Sequence, residues 1–549
     1  MIQKLKRLFS GKNSLTGAAT ILVTTTLLSN ILGLLRDRFF AQKIPTDLLD
    51  TYFAAFRIPD LVFNLLILGT VTAAFIPVFL QYKERSEREA WEVAHRVITL
   101  AVVILLALSV VLFFAMPWLL PLVVPNFSPE KQVITIGLAR ILLIQPFFFG
   151  LSYLFSGMLN AMKRFFVYAL APLIYTTSII VATVWFSGRF GVYALAWGVV
   201  IGAFFHMFIQ LLAAQSIGFR FVLNFSFSHP AIKRVGILMI PRSIGLGALQ
   251  LLLLAFTAIA SALGPGSVAI YSLADNIQTM PTAVFGLAFI TALYPTLSEV
   301  VAQRRMKEFA ALIERALRYL VVILLPSGLG LLLLRAQIVR LILGSGHFGW
   351  EQTIATANTL GLFAISLFSQ AIVVLLSRSF YSLHNTRTPT ILNLIGYAIA
   401  LGLAFWFAPA NGLGLGVPGL ALAFSLGSFV NLGLLYWAIR RRVPALVRVE
   451  EGLGRFIGRV SLGLLSLIVA VQLAKPVVAL FVNMDRFWGV FVQTSVAIVL
   501  GAAAYWFTMR VLRVSEIQLV ESLIRARFWP NRSQRGALQQ SPFEAELPE

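Results

Sequence analysis

Residues 388–439 read TPTILNLIGYAIALGLAFWFAPANGLGLGVPGLALAFSLGSFVNLGLLYWAI and contain no Asp, Glu, Lys or Arg. A membrane-crossing helix needs about 20 predominantly apolar residues. This run is therefore long enough for two, joined by the turn-rich PANGLGLGVPG at 409–419. The rest of the chain has the same character. Of its 549 residues 59% are hydrophobic and only 12% charged, against about 25% charged in a soluble domain. Mean hydropathy is +0.86. The composition defines an all-α polytopic membrane protein.

Apolar windows set against charged or Pro/Gly-rich breaks give about fourteen transmembrane helices. They lie near 15–40, 48–80, 92–122, 132–160, 165–187, 191–216, 232–262, 267–299, 309–336, 352–383, 389–408, 416–439, 457–482 and 487–512. The net charge of +22 raises the question of nucleic acid, but Lys and Arg concentrate in short connectors between apolar spans. Basic connectors carry Lys83, Arg85 and Arg88; Lys163 and Arg164; Lys233 and Arg234; Arg304, Arg305 and Lys307; Arg387; and Arg440, Arg441 and Arg442. Those between them, near 125, 187, 263 and 409, are poor in charge. Positive residues mark cytoplasmic loops, so the alternation predicts both termini in the cytoplasm and excludes a nucleic-acid partner. The basic N-terminus MIQKLKRLFSGKNS is read as leading into an uncleaved first helix. The tail 514–549 begins with an amphipathic pattern (Ile517, Val520, Leu523, Ile524, Phe528) and ends polar.

An internal repeat is visible. TVTAAFIPVF with Pro77 and AFITALYPTL with Pro295 end the second and eighth spans, and FRIPD with Pro59 answers QTMPT with Pro281. Near-equal offsets predict an N-terminal lobe over 1–225 (six spans) and a C-terminal lobe over 226–445 (six spans) around a central cavity. Two additional helices follow over 446–513, then the cytoplasmic tail 514–549. Repeats of this kind place a substrate between two lobes.

Charge inside such helices is expensive and faces a watery cavity or a partner. The stretch 27–69, LLSNILGLLRDRFFAQKIPTDLLDTYFAAFRIPDLVFNLLILG, holds Arg36, Asp37, Arg38, Asp50, Arg57 and Asp60. Three arginines there suit an anionic ligand, because guanidinium matches phosphate oxygens bidentately. The competing explanation for Arg36-Asp37 and Arg38 is a helix end with basic side chains snorkelling to water. Asp50 and Arg57, seven residues apart, fall nearly on one helix face, and Asp60 is within pairing distance of Arg57 in sequence. These could equally be structural ion pairs. Asp275 stands alone in SLADNIQTM, beside Asn276 and Gln278, as a cation or proton site or the partner of an arginine. Arg242, after Pro241, is a further candidate contact, or an interfacial arginine.

Enzymatic chemistry finds no support. There is no cysteine, no Walker A sequence and no nucleophile–base arrangement. His95, His206, His229, His347 and His384 show no metal-ligand spacing. GLGVPG at 414–419 matches G-x-G-x-x-G but follows no strand. No cofactor or metal is expected, and a coupling ion is left open.

The same residues resemble the MurJ (MviN) family of lipid II flippases in the multidrug/oligosaccharidyl-lipid/polysaccharide exporter superfamily. The matching pieces are SNILGLLRD (29–37), DTYFAAFRIPDL (50–61), TAAFIPVF (72–79) and LNAMKRFFVYALAP (159–172). YSLADNIQTMPTAVFGLAFITALYPTLS (271–298), GSGHF (344–348) and FYSLHNTRTPT (380–390) continue in order. The resemblance implies a flippase of the undecaprenyl-diphosphate-linked peptidoglycan precursor, working by alternating access in the bacterial cytoplasmic membrane. It implies a polyprenyl-diphosphate substrate, contact with membrane lipids and with cell-wall synthesis proteins, and roles for Arg36, Asp37 and Asp50. Three family arginines are absent: Asn30, Phe63 and Asn276 stand in their places. A flippase of another polyprenyl-linked oligosaccharide is one alternative, a cation-coupled small-molecule exporter a second and a membrane scaffold a third.

Overall fold

The structure is a computed structural model that describes residues 15–68, 75–162, 164–446 and 453–517. Most of the tail read as amphipathic, including Val520, Leu523, Ile524 and Phe528, lies outside these residues. Helices occupy every expected window: α1 Leu15–Lys43, α2 Thr46–Ala55, α3 Arg57–Val62, α4 Ile76–Arg85, α5 Glu87–Val123, α6 Pro129–Leu142, α7 Ile144–Ala161, α8 Phe165–Phe190, α9 Tyr193–Ser216 and α10 Pro230–Ser261. They continue as α11 Ser267–Pro281, α12 Ala288–Ala302, α13 Met306–Leu333, α14 Arg335–Leu343, α15 Trp350–Ala364, α16 Leu367–Ser382, α17 Arg387–Phe407, α18 Val417–Arg442, α19 Leu453–Ala479 and α20 Phe487–Val511. Ten helices among the described residues are long and apolar enough to cross a membrane. The pair α15–α16, bent by 44°, is an eleventh candidate.

Four windows expected to be continuous are interrupted. The second is interrupted at Phe56, between α2 and α3, the fourth at Leu143, between α6 and α7, the ninth at Leu334, between α13 and α14, and the tenth at the α15–α16 bend. A further irregularity follows the repeat-related prolines. After Pro59 the chain forms a π-helical turn over Phe63–Leu68, and after Pro281 another over Thr282–Leu287. Proline cannot donate to the carbonyl four residues earlier, and wider i→i+5 turns occur as local bulges within helices.

Helix ends follow local chemistry. Ser128 caps α6 by accepting the Lys131 N–H at 3.3 Å, with Pro129 in the first turn. His229 caps α10 through Nδ1, which accepts the Ala231 N–H at 3.2 Å.

The chain divides into two compact units, one of residues up to 273 with 342–356 and 397–423, the other of 274–341, 357–396 and 424 onward. The first is centred on Phe75, Phe79, Phe155 and Phe219. Within it α8 and α9 run in backbone contact at Gly202, where a Cβ would lie 2.8 Å from the Tyr175 carbonyl oxygen. Small residues permit such close approach between apolar helices. The second unit packs Phe309, Leu320, Leu375 and Phe380. In it α19 and α20 lie against α13, and Tyr505 Oη donates to the Val322 carbonyl at 2.9 Å.

Candidate substrate-binding site

Arg36 occupies the second half of α1. Its Nε and Nη2 donate to Asp37 Oδ1 at 2.9 and 2.7 Å, leaving Nη1 for another partner. Asp37 is buried, whereas the Arg36 side chain keeps 22% of its surface. The guanidinium carbon sits 5.4 Å from the Phe40 ring centre, and Phe40 meets Tyr52 edge-on at 5.2 Å. Tyr52 and Tyr175 both lie within electrostatic reach of Arg36, and Tyr175 is also within reach of Asp60 and Tyr153. The result is an accessible cation with one fixed counter-charge and a collar of aromatic and phenolic groups. Arg38, two residues beyond Arg36, is half-buried and engaged.

Arg57 belongs to the same unit but makes a different bond from the one expected. Its Nε donates to Thr257 Oγ1 of α10 at 2.7 Å. No ion pair to Asp60 forms among the described residues. The break at Phe56 puts Asp50 on α2 and Arg57 on α3, so the seven-residue spacing does not make them a pair.

Asp50 is fully enclosed. Its Oδ2 accepts the Gly266 N–H at 2.7 Å and its Oδ1 the Ala269 N–H at 2.8 Å. These donors belong to the opening turn of α11, whose first N–H groups have no partner within the helix. Lys131 Nζ approaches Asp50 Oδ2 at 3.0 Å and also binds Asp47. The carboxylate thus caps a helix from a distant part of the sequence, where the helix dipole favours negative charge. Gly266 holds φ +83°, and a Cβ there would lie 3.1 Å from Thr46 Cγ2.

Asp275, in the second unit, accepts from Gln278 Nε2 at 2.9 Å, and Gln278 Oε1 in turn accepts from Gln370 at 3.2 Å. Arg242 lies on α10, but its side chain is outside what is described. Of the expected site residues, the structure gathers Arg36 and Asp37 with Tyr52 and Tyr175. It gives Asp50 a separate partner set, with Lys131. Sequence reasoning missed Lys131, Thr257, Tyr52 and Tyr175. Lys131 had a signal in the helix-start pattern SPEK at 128–131; the tyrosines had none. Among the described residues no group of three His, Cys, Asp or Glu could hold a metal ion.

Stacked apolar helices carrying an accessible guanidinium define a multi-pass membrane protein of the transporter class. A family model described as "Lipid II flippase MurJ" matches residues 45–505. The chain belongs to the MurJ family. It is 29% identical to "Lipid II flippase MurJ" of Burkholderia cenocepacia over 428 residues, 76% of this chain and 82% of that one. Its fold matches the solved structure "Lipid II flippase MurJ, inward closed conformation" with a TM-score of 0.72 at 24% identity. That match covers 90% of this chain and 99% of the other. A multidrug resistance MATE family transporter of the MOP superfamily, in an inward-facing conformation, matches with a TM-score of 0.66 at 16% identity, over 78% and 99% of the two chains.

Proposed function

We propose that this protein is a flippase that moves lipid II, the undecaprenyl-diphosphate-linked peptidoglycan precursor, across the bacterial cytoplasmic membrane by alternating access. Family membership over residues 45–505 carries this conclusion, and Arg36 gives it a chemical basis. The diphosphate binds the free edge of the Arg36 guanidinium, which Asp37 orients. Guanidinium forks suit phosphate oxygens better than an ammonium does. Arg57 supplies a second cation, and Arg242 and Asp275 complete the proposed set. Asp50 acts as the tie that holds α2 to the start of α11. About fourteen spans with both termini cytoplasmic agree with the charge alternation, and two six-helix lobes over 1–225 and 226–445 with the internal repeat. The protein carries out no covalent chemistry, and an ion gradient, membrane potential or substrate gradient supplies the drive.

The test is complementation of a strain depleted of its own lipid II flippase. Growth with the wild-type chain, and none with a normally inserted Arg36→Ala protein, is expected. Failure of the wild-type chain to complement would overturn the proposal. Asn30, Phe63 and Asn276, in place of family arginines, favour a second reading in which another polyprenyl-diphosphate glycan is carried. Complementation of a glycan-export defect without rescue of lipid II flipping would decide for it.

A further inference from the structure

On α9, Gly198, Gly202, His206 and Gln210 recur every four residues and so share a face. The glycines bring α8 close, and the polar pair meets α7, where Ser152 and Ser156 repeat the same spacing. Ser152 Oγ lies 2.7 Å from His206 Nδ1 and donates to the His206 carbonyl at 3.1 Å. One turn on, Ser156 Oγ donates to Gln210 Oε1. A hydroxyl has one proton, and here it is on the carbonyl. Nδ1 must then be the imidazole donor, and Nε2 carries the lone pair. That assignment comes from the hydrogen-bond network.

His206 lines a cavity of about 210 Å³ shared with Ser29 and Asn30 of α1, Tyr153 and Ser156 of α7, and Tyr168 of α8. Asn30 donates its Nδ2 to the Thr26 carbonyl at 2.9 Å, so its oxygen is the free end. Tyr168 is 37% exposed, and the cavity is therefore open. No charged side chain among the described residues lines it. A phosphate would find no cation there and a metal ion no carboxylate. An apolar chain would leave the hydroxyls without partners, at a desolvation cost. Hydroxyl, amide and imidazole groups between aromatic faces suit a neutral, polyhydroxylated ring. A cavity of this size has room for several waters, the scale of one sugar.

The cavity also has the right neighbour. Ser29 and Arg36 are seven residues apart on α1, on one face and about 10 Å apart along the axis. Gly33 lies between them, and a Cβ there would meet nothing within 4 Å. We propose that this cavity is the subsite for the sugar attached to the diphosphate, with Arg36 holding the diphosphate itself. This rests on the flippase function proposed above and extends it to the carbohydrate.

The test measures binding of two lipids, lipid II and undecaprenyl diphosphate, to the purified full-length protein. Tyr153→Phe and Tyr168→Phe each remove one hydroxyl and keep the ring. Each should weaken lipid II binding about fivefold, the scale of one hydrogen bond. Both should leave undecaprenyl diphosphate binding and the melting temperature unchanged. Arg36→Ala should weaken both lipids. Unchanged lipid II affinity in both tyrosine variants, or equal losses on the two lipids, would overturn the subsite and leave the flippase conclusion standing. A wild-type protein that binds neither lipid would overturn both.

Discussion

Lys131 Nζ stands 3.0 Å from the fully buried Asp50 carboxylate, joining α6 to α2 across a long stretch of sequence. The same carboxylate caps α11 through Gly266 and Ala269. Removing it strands two buried backbone donors and leaves the partly buried ammonium with Asp47 as its one remaining carboxylate partner. Breaking one partner of a buried pair costs about 3–5 kcal/mol. Asp50→Ala should therefore lower the melting temperature sharply. Asp50→Asn, which keeps an acceptor oxygen, should cost about 1–3 kcal/mol. Thermal unfolding of the two variants checks this, and equal melting temperatures would show that the acceptor oxygens contribute nothing.

Gly266→Ala should destabilise by about 1–3 kcal/mol, because φ +83° is strained for a residue with a Cβ and Thr46 occupies the space. Gly402→Ala is the control. A Cβ there meets nothing within 4 Å, and alanine in a helix interior should stabilise by about 0.5–1 kcal/mol. Equal melting temperatures for the two variants would refute the strain at Gly266.

Arg36→Lys should retain a small part of the flipping rate in proteoliposomes, and Arg36→Ala none. A point charge cannot reproduce the planar fork that Asp37 holds in place. Equal activity of the Lys variant and the wild type would remove bidentate binding from the site.

Topology is testable on a chain without cysteine. Single cysteines at Asn126 and Asn411, both exposed and in charge-poor connectors, should react with an impermeant thiol reagent applied outside the cell. Cysteines at Glu89 and Gln303, exposed in basic connectors, should not. Outside labelling at position 89 would reverse the orientation.

Partial burial, then the neighbouring Arg96, push the His229 imidazole below its usual range, so the ring caps α10 as a neutral acceptor. Its contribution is full above the ordinary histidine value of about 6.5 and is lost as pH falls through the lowered one. His229→Asn caps at every pH. The melting-temperature advantage of wild type over this variant should shrink on acidification below about pH 6.5, and a constant difference would contradict it.

The apolar windows were legible because membrane helices must satisfy their backbone internally and so announce themselves by length. The partner of each charge was not. Asp50 looked like a cavity group because a buried carboxylate and a ligand-binding one have the same sequence signature. What separates them is the Gly266 and Ala269 N–H groups, brought near only by tertiary packing. Arg57 and Asp60 share α3, yet Arg57 turned to Thr257, a partner 200 residues away that only tertiary packing brings near. His206 carried no metal spacing, and its pairing with Ser152 depends on how two distant helices face each other. The four-residue stripe of Gly198, Gly202, His206 and Gln210 was readable in retrospect.

The π-helical turns over Phe63–Leu68 and Thr282–Leu287 are, in effect, dislocations: each holds one residue more than a regular α-helix requires. Elsewhere in a spanning helix, deleting a residue rotates everything beyond it by about 100° and turns buried faces toward lipid. At Thr282–Leu287, between the described helices α11 and α12, a deletion would remove the surplus and leave the flanking segments in helical phase. The eighth span therefore contains positions at which the chain can absorb the loss of a single residue.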